Sequence, residues 1–311
     1  MNPTRTYFAT LSLFLASICF AQNQKSEATS LLGQPLYRKE FADIELIKLS
    51  ANLAEAQSNY RVAPDSANNV IWLGRRLGYV WCFREAITAF SDGIAKHPEN
   101  PRLYRHRGHR YITVREFDNA IADLEKASKL IANLPDEVEP DGAPNQHNIP
   151  RSTLHSNIWY HLGLACYLKG DFENAQRAYS AGMKFAEVND DMLVATTHWL
   201  YMTLRRLGRM EEAQKILIPI RDQMEILENE HYHKLLLMYK EALSPGSILN
   251  LDSSSDIELA TIGYGVGNWY FYNGHQEKAM EIFEKIAASE NWPAFGFIAA
   301  EAELARAKQK K

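Results

Sequence analysis

Cysteine is nearly absent from this chain, three residues in 311, and positions 19, 82 and 166 offer neither a disulfide framework nor thiolate metal spacing. Cys82 and Cys166 are therefore expected as buried free thiols. An excess of either charge is also missing: the formal net charge is −4, with Lys and Arg spread among Asp and Glu. That balance gives no global pull toward nucleic acid or an acidic membrane surface. The apolar run from Tyr7 to Phe20 is shorter than the roughly 20 residues a membrane-spanning helix needs. Nor is there a Gly-rich phosphate loop, a nucleophile elbow or a paired-His metalloprotease helix. Gly263 to Gly267 carries three glycines, but in a helix-forming stretch, where they suit close helix packing. His106 and His109 are three apart, with His161 and His198 further on, and no carboxylate or cysteine at ligand spacing joins them. The expectation is a protein without catalytic residues, cofactor or metal.

The amino terminus reads as a secretory signal over residues 1–21. Arg5 supplies the positive start, Tyr7 to Phe20 the apolar segment, and Cys19-Phe20-Ala21 the small residues before cleavage at Gln22. An exported protein, periplasmic or secreted, is expected. Membrane association would require lipidation at Cys19, which the bulky Ile18 before it disfavours. Residues 22–34 are polar and small and read as a flexible tether, and 35–66 as an N-terminal helical cap closed by Pro64-Asp65-Ser66.

What the chain does have is an internal repeat. Leu73-Gly74 is followed by Ala86, Phe90 and Gly93; Arg107-Gly108 is followed by Ala120, Leu124 and Ala127, with every interval kept at an offset of 34 residues. Val70, Leu73, Gly74 and Leu77 share one helix face, and Ala86, Phe90, Gly93 and Ile94 share another. Gly74 and Ala86 let the two helices approach, Phe90 fills between them, and Asn100-Pro101 starts the next hairpin. Trp159, Leu162-Gly163, Gly170, Ala175 and Tyr179 repeat the pattern best. Leu200, Leu204, Gly208, Ala213 and Leu217 repeat it with Tyr201 in a small-residue place, and Gly267, Tyr270, Gly274, Ala279 and Phe283 repeat it again. The resulting plan is repeats 1 and 2 over 67–134, an acidic and Pro-rich insert over 135–155 and repeats 3 and 4 over 156–227. A degenerate repeat and loop follow over 228–256, with Asp256 as a cap, and a fifth repeat with a C-terminal capping helix over 257–311.

These residues resemble the tetratricopeptide repeat. The resemblance implies an all-α fold, a right-handed superhelical solenoid of antiparallel helix hairpins with about five recognisable repeats plus degenerate ones. It also implies a non-catalytic scaffold or adaptor that binds a peptide or protein in the concave groove lined by first helices. Mapped onto that repeat, Arg75, Arg102, Arg105, His106, His109, Asn157, Tyr160, His161, His198 and Arg205 fall on or near the groove. The Lys/Asn clamp with which one subfamily holds chaperone C-termini is absent: Ile71 and Arg75, His106, then Asn157 and His161 stand in its places. From Pro101 to Arg115 there are five arginines, two histidines and no acid, a surface suited to carboxylate or phosphate and hence to an acidic partner. Asp136, Glu137, Glu139 and Asp141 in the insert are positioned to fold over it as an internal ligand. The alternative function is a small-anion sensor or pocket built from Arg75, Arg102, His106, His109 and His161.

Overall fold

The computed structural model describes residues 25–251 and 253–309, so the signal segment and Cys19 lie outside the described residues. Helix α1 (Asp43–Val62) is followed by four hairpins: α2 (Ala67–Tyr79) with α3 (Phe83–Lys96), α4 (Pro101–Thr113) with α5 (Phe117–Leu130), α6 (Leu154–Lys169) with α7 (Phe172–Ala186), and α8 (Asp190–Arg206) with α9 (Met210–Lys215). Then come α10 (Glu230–Tyr239), α11 (Pro245–Ile248) and α12 (Asp256–Glu258), which runs through a π-helical turn at Leu259–Gly263 into α13 (Tyr264–Tyr272). Helices α14 (Gln276–Ala287) and α15 (Phe295–Gln309) complete an all-α solenoid of helical hairpins.

Four of the five hairpins close on a glycine facing a large residue 16 positions later. A Cβ at Gly74 would stand 2.4 Å from the Phe90 ring, at Gly163 2.7 Å from Tyr179 and at Gly267 2.7 Å from Phe283. No side chain fits in those gaps, so the glycines set the helix separation. Helix starts follow the cap residues: Ser66 Oγ accepts from Asn69 N, Asn100 Oδ1 from Arg102 N, and Thr153 and Ser156 form a reciprocal capping box. At the fifth repeat the cap is Ser255 and not Asp256, because the Ser255 hydroxyl reaches Glu258 N.

The first helices also end alike. The backbone turns left-handed at Trp81, Arg115, Gly170, Gly208, Glu241 and Gly274. The next N–H then donates to the carbonyl five residues back: Cys82 to Leu77, Glu116 to Tyr111, Asp171 to Cys166, Arg209 to Leu204, Ala242 to Leu237 and His275 to Tyr270. Glu241 places α10 in this series, so the degenerate repeat keeps a repeat's first helix. The fourth hairpin is the imperfect one. Tyr201, in the small-residue place, stacks on Tyr239 of α10 at 4.3 Å, and α9 stops short of Pro219, which cannot continue a helix.

Residues 22–34 do not behave as the expected tether where they are described. Strand β1 (Ala28–Thr29) pairs antiparallel with β2 (Pro35–Leu36), so residues 35–42 precede the helical cap instead of opening it. Buried Glu27 holds the ribbon down: its carboxylate accepts from Arg84 N at 3.0 Å, capping α3, whose own N-cap Cys82 makes no side-chain capping bond. The polar composition that suggested a tether is used for hydrogen bonding. Of the two cysteines, Cys166 is free and buried, whereas Cys82 is not among the free cysteines and so departs from the expectation. Its separation from Cys166 in sequence said nothing of other partners.

Helix α15 lies across the C-terminal ends of α4, α6 and α8. Arg115 pairs with Glu301 at 2.9 Å, Arg306 donates to Leu168 O at 3.0 Å, and Arg206 meets Glu303 at 2.5 Å. Leu31 N donates to Glu301 at 3.0 Å and the Trp292 indole to Tyr37 O at 2.7 Å, tying the N-terminal ribbon to the same place. One large apolar core accordingly runs from Ala28 to Leu304, beside a smaller one around Leu53, Phe90 and Leu103. No helix among the described residues is long and apolar enough to cross a membrane.

Candidate functional site

The five arginines from Pro101 to Arg115 point in several directions, as a helical spacing requires. Arg107 is outward and forks onto both oxygens of Asp123 at 2.7 Å, and Arg115 is buried against Glu301. Both serve structure. Arg102, half-buried, reaches Asn68 at 3.4 Å in a recess with Asn100 and Leu134. Arg105 and Arg110 face the concave side. There, with Arg75, Tyr79, His106, His109 and His161, they line a cavity of about 170 Å³ between α2, α4 and α6.

The insert enters this surface through one residue. Glu139, buried, brings Oε2 to 3.1 Å from Arg105 Nε and 2.6 Å from Asn157 Nδ2, and Oε1 to 2.9 Å from His106 Nε2. The insert is held in place around it. Glu139 N donates to Ser152 O and Leu154 N to Glu137 O, Arg76 donates to Gly142 O at 2.9 Å, and Asn145 reaches Glu228 at 2.6 Å. An acidic insert that covers the basic surface is what the sequence suggested, and Glu139 is the acid that does so. Asp136 instead accepts from His155 N at 2.9 Å, at the start of α6.

The remaining groove residues are covered by other parts of the chain. Phe295, at the start of α15, packs on His109 at 5.3 Å, His161 at 5.7 Å and Tyr160 at 6.5 Å. His198 is fully buried between the rings of Tyr232 and Tyr239 and is hydrogen-bonded to the Tyr239 hydroxyl at 3.3 Å. Arg205 lies over Tyr272 and donates to Asn273, away from the cavity. Thus Arg75, Arg105, His106, His109 and His161 are brought together with Asn157 beside them, Tyr160 touches their edge, and Arg102, His198 and Arg205 stand apart.

Burial sets the electrostatics. It pushes His106, His161 and His198 down to about 3 and His109 well below the usual histidine range, so these imidazoles are neutral. The hydrogen bonds fix two tautomers. His106 Nδ1 accepts from Arg105 at 3.0 Å, so its Nε2 carries the proton and faces Glu139 Oε1 at 2.9 Å; His161 Nδ1 donates to Asn157 O at 2.6 Å, so its Nε2 is left an acceptor. Burial alone would raise the Glu139 carboxyl, but Arg105 and then His106 outweigh it and hold it below the ordinary carboxylate range. Burial lowers Arg110 to about 10.

Several residues here are not legible in the sequence. Arg110 belongs to the basic stretch without a groove assignment, Phe295 comes from more than 130 positions beyond Tyr160 and His161, and Tyr232 and Tyr239 come from the degenerate repeat, 34 and 41 positions beyond the His198 they cover. Only the helical face of Arg110, one turn after His106, carried a usable signal.

Residues 156–189, which span α6 and α7, match the tetratricopeptide repeat family model. No curated protein matches the chain in sequence. Among solved structures, YrrB, described as a TPR protein with an unusual peptide-binding site, aligns at 16% identity and a TM-score of 0.42 over 82% of this chain and 98% of its own. A tetratricopeptide repeat protein from Parabacteroides merdae aligns at 15% identity and a TM-score of 0.48 over 84% of this chain and 95% of its own. BtubC from P. vanneervenii aligns at 15% identity and a TM-score of 0.45 over 87% and 93%.

Proposed function

We propose that this chain, which carries a tetratricopeptide repeat within a solenoid of like hairpins, is an exported, non-catalytic scaffold that binds an acidic segment of a protein partner on the concave side of α2 and α4. The observation that carries this reading is the seat of Glu139. Arg105, His106 and Asn157 are already arranged to take a carboxylate from a non-helical segment, and the insert supplies one from within the chain. A partner's Asp or Glu enters by exchange with Glu139, so the insert competes with the partner and lowers its apparent affinity. The signal reading of residues 1–21 supports a partner in the cell envelope or outside the cell.

The test is recovery from cell-envelope extract by three forms of the protein, with circular dichroism confirming the fold of each. Arg76→Ala with Asn145→Ala removes two anchors of the insert and leaves the seat intact. Arg105→Gln spoils the seat. A partner retained by wild type, retained more by the loosened insert and lost with Arg105→Gln is expected; equal recovery by all three forms would contradict the reading.

A further inference from the structure

Two guanidinium groups on the wall of the 170 Å³ cavity form no ion pair among the described residues. Arg75, from α2, has its Nη1 buried without a hydrogen bond, and its guanidinium lies over the Trp72 ring at 4.5 Å. Arg110, from α4, lies over Phe83 at 5.4 Å and has no hydrogen bond or ion pair among the described residues. An aromatic ring contacts the face of a guanidinium and does not satisfy the N–H groups in its plane. Leaving the Arg75 donor buried and unpaired costs stability, and half-buried Arg110 beside it adds a second charge without an ion pair, so the two together call for a ligand.

The charges around the cavity fix the ligand's sign. Arg75, Arg105 and Arg110 line it, and two carboxylates act on them: Glu139 is bound to Arg105 and Asp141 acts on Arg75 electrostatically without an ion pair. One positive charge is left over, and the neutral histidines do not cancel it. The ligand is therefore an anion. Its hydrogen-bonding character follows from His161, which lines the cavity with Nε2 free of a proton and so favours a ligand that also has an O–H to give. Monohydrogen phosphate has acceptor oxygens for both arginine forks and one such hydroxyl, whereas a carboxylate has no donor at neutral pH. The volume equals that of about six water molecules, enough for a tetrahedral oxyanion with water and too little for a length of peptide.

We propose that the cavity between α2, α4 and α6 is a binding site for a small phosphate-type oxyanion, held by Arg75 and Arg110, with His161 Nε2 accepting a hydrogen bond from its hydroxyl. This site goes beyond the scaffold reading and does not depend on it: Glu139 and Arg105 belong to the partner's seat, while Arg75 and Arg110 belong to the cavity.

The test is a thermal-shift and calorimetric titration of the whole protein with inorganic phosphate, against succinate and chloride at matched ionic strength. A saturable rise in Tm with phosphate, absent with chloride and weaker with succinate, is expected. Arg110→Leu should abolish that rise and at the same time raise the Tm of the ligand-free protein, since it removes a half-buried charge that has no ion pair among the described residues. A guanidinium kept only for packing on Phe83 would give the opposite, a lower ligand-free Tm. Arg75→Lys keeps the charge but loses the fork and should weaken phosphate about tenfold with the fold intact. No saturable phosphate effect, an equal effect of succinate, an unchanged effect in both variants, or a lower ligand-free Tm for Arg110→Leu overturns the proposal. Partner recovery by the Arg105→Gln form reports separately on the scaffold reading.

Discussion

Arg115 and Glu301 form a buried pair 186 positions apart in sequence, and the Arg115 guanidinium also donates to Trp292 O and Thr113 O. Replacing Arg115 with Met leaves the Glu301 carboxylate buried without its charge partner, a loss of about 3 to 5 kcal/mol. The double variant Arg115→Met with Glu301→Leu should recover most of that, and urea unfolding of the two proteins checks it. The buried histidines give a second residue-scale expectation. His106, His161 and His198 have folded-state values near 3, below the ordinary 6.5 of the unfolded chain. Below pH 6.5 the unfolded state takes up protons that the folded state does not, so the stability present above about 6.5 is lost progressively as the pH falls toward 3. At pH 5 the loss is roughly 2 kcal/mol per histidine. A Tm that stays flat from pH 7 to pH 5 would show that these rings are not held neutral. Residue types were a fair guide here only where helical spacing set their direction. The repeat mapping put Arg105, His106 and Asn157 on the concave side, but it could not tell that His198 would be sealed by Tyr232 and Tyr239, because that depends on where a degenerate helix packs.

The hairpins were legible at the scale of elements because their determinants are local and recur. Gly163 faces Tyr179 in the hairpin that also matches the family model, with room for no Cβ. Gly163→Leu should therefore cost about 1 to 3 kcal/mol by overpacking, read as a lower urea midpoint at constant slope. The turn after each first helix gives the opposite kind of test. Exposed Glu241 holds φ at 63°, where Gly170, Gly208 and Gly274 stand in the corresponding turns. Glu241→Gly should raise stability by roughly 1 kcal/mol, since glycine adopts this conformation without the Cβ clash; a lower Tm in calorimetry would mean that the side chain is needed. Trp81 and Arg115 hold the same strained conformation for another reason: Trp81 packs on Trp292 at 5.3 Å and Arg115 binds Glu301. The N-terminal ribbon and the short α9 were not legible in this way. Glu27 is fixed by a distant helix start, and α9 is cut short where Pro219 and the displaced Tyr201 act together.

At the scale of the whole molecule, the solenoid is closed by its own ends. Helix α15 and the N-terminal ribbon meet over the ends of α4, α6 and α8, and the insert lies on the concave side of α2 and α4. Such closure joins residues more than 100 positions apart through ordinary ion pairs and rings, and a repeat pattern carries no trace of it. A partner must then compete with the chain itself, so the concave face is best tested by shifting that competition. The direct measurement is a fluorescence-anisotropy titration of a Glu-rich peptide into wild type and into Arg76→Ala, which loosens the insert at Gly142 and leaves Arg105, His106 and Asn157 in place. Several-fold tighter binding by Arg76→Ala, weakened in both proteins by added salt, is the predicted result. Equal affinity in the two proteins, or binding that ignores salt, would contradict the account.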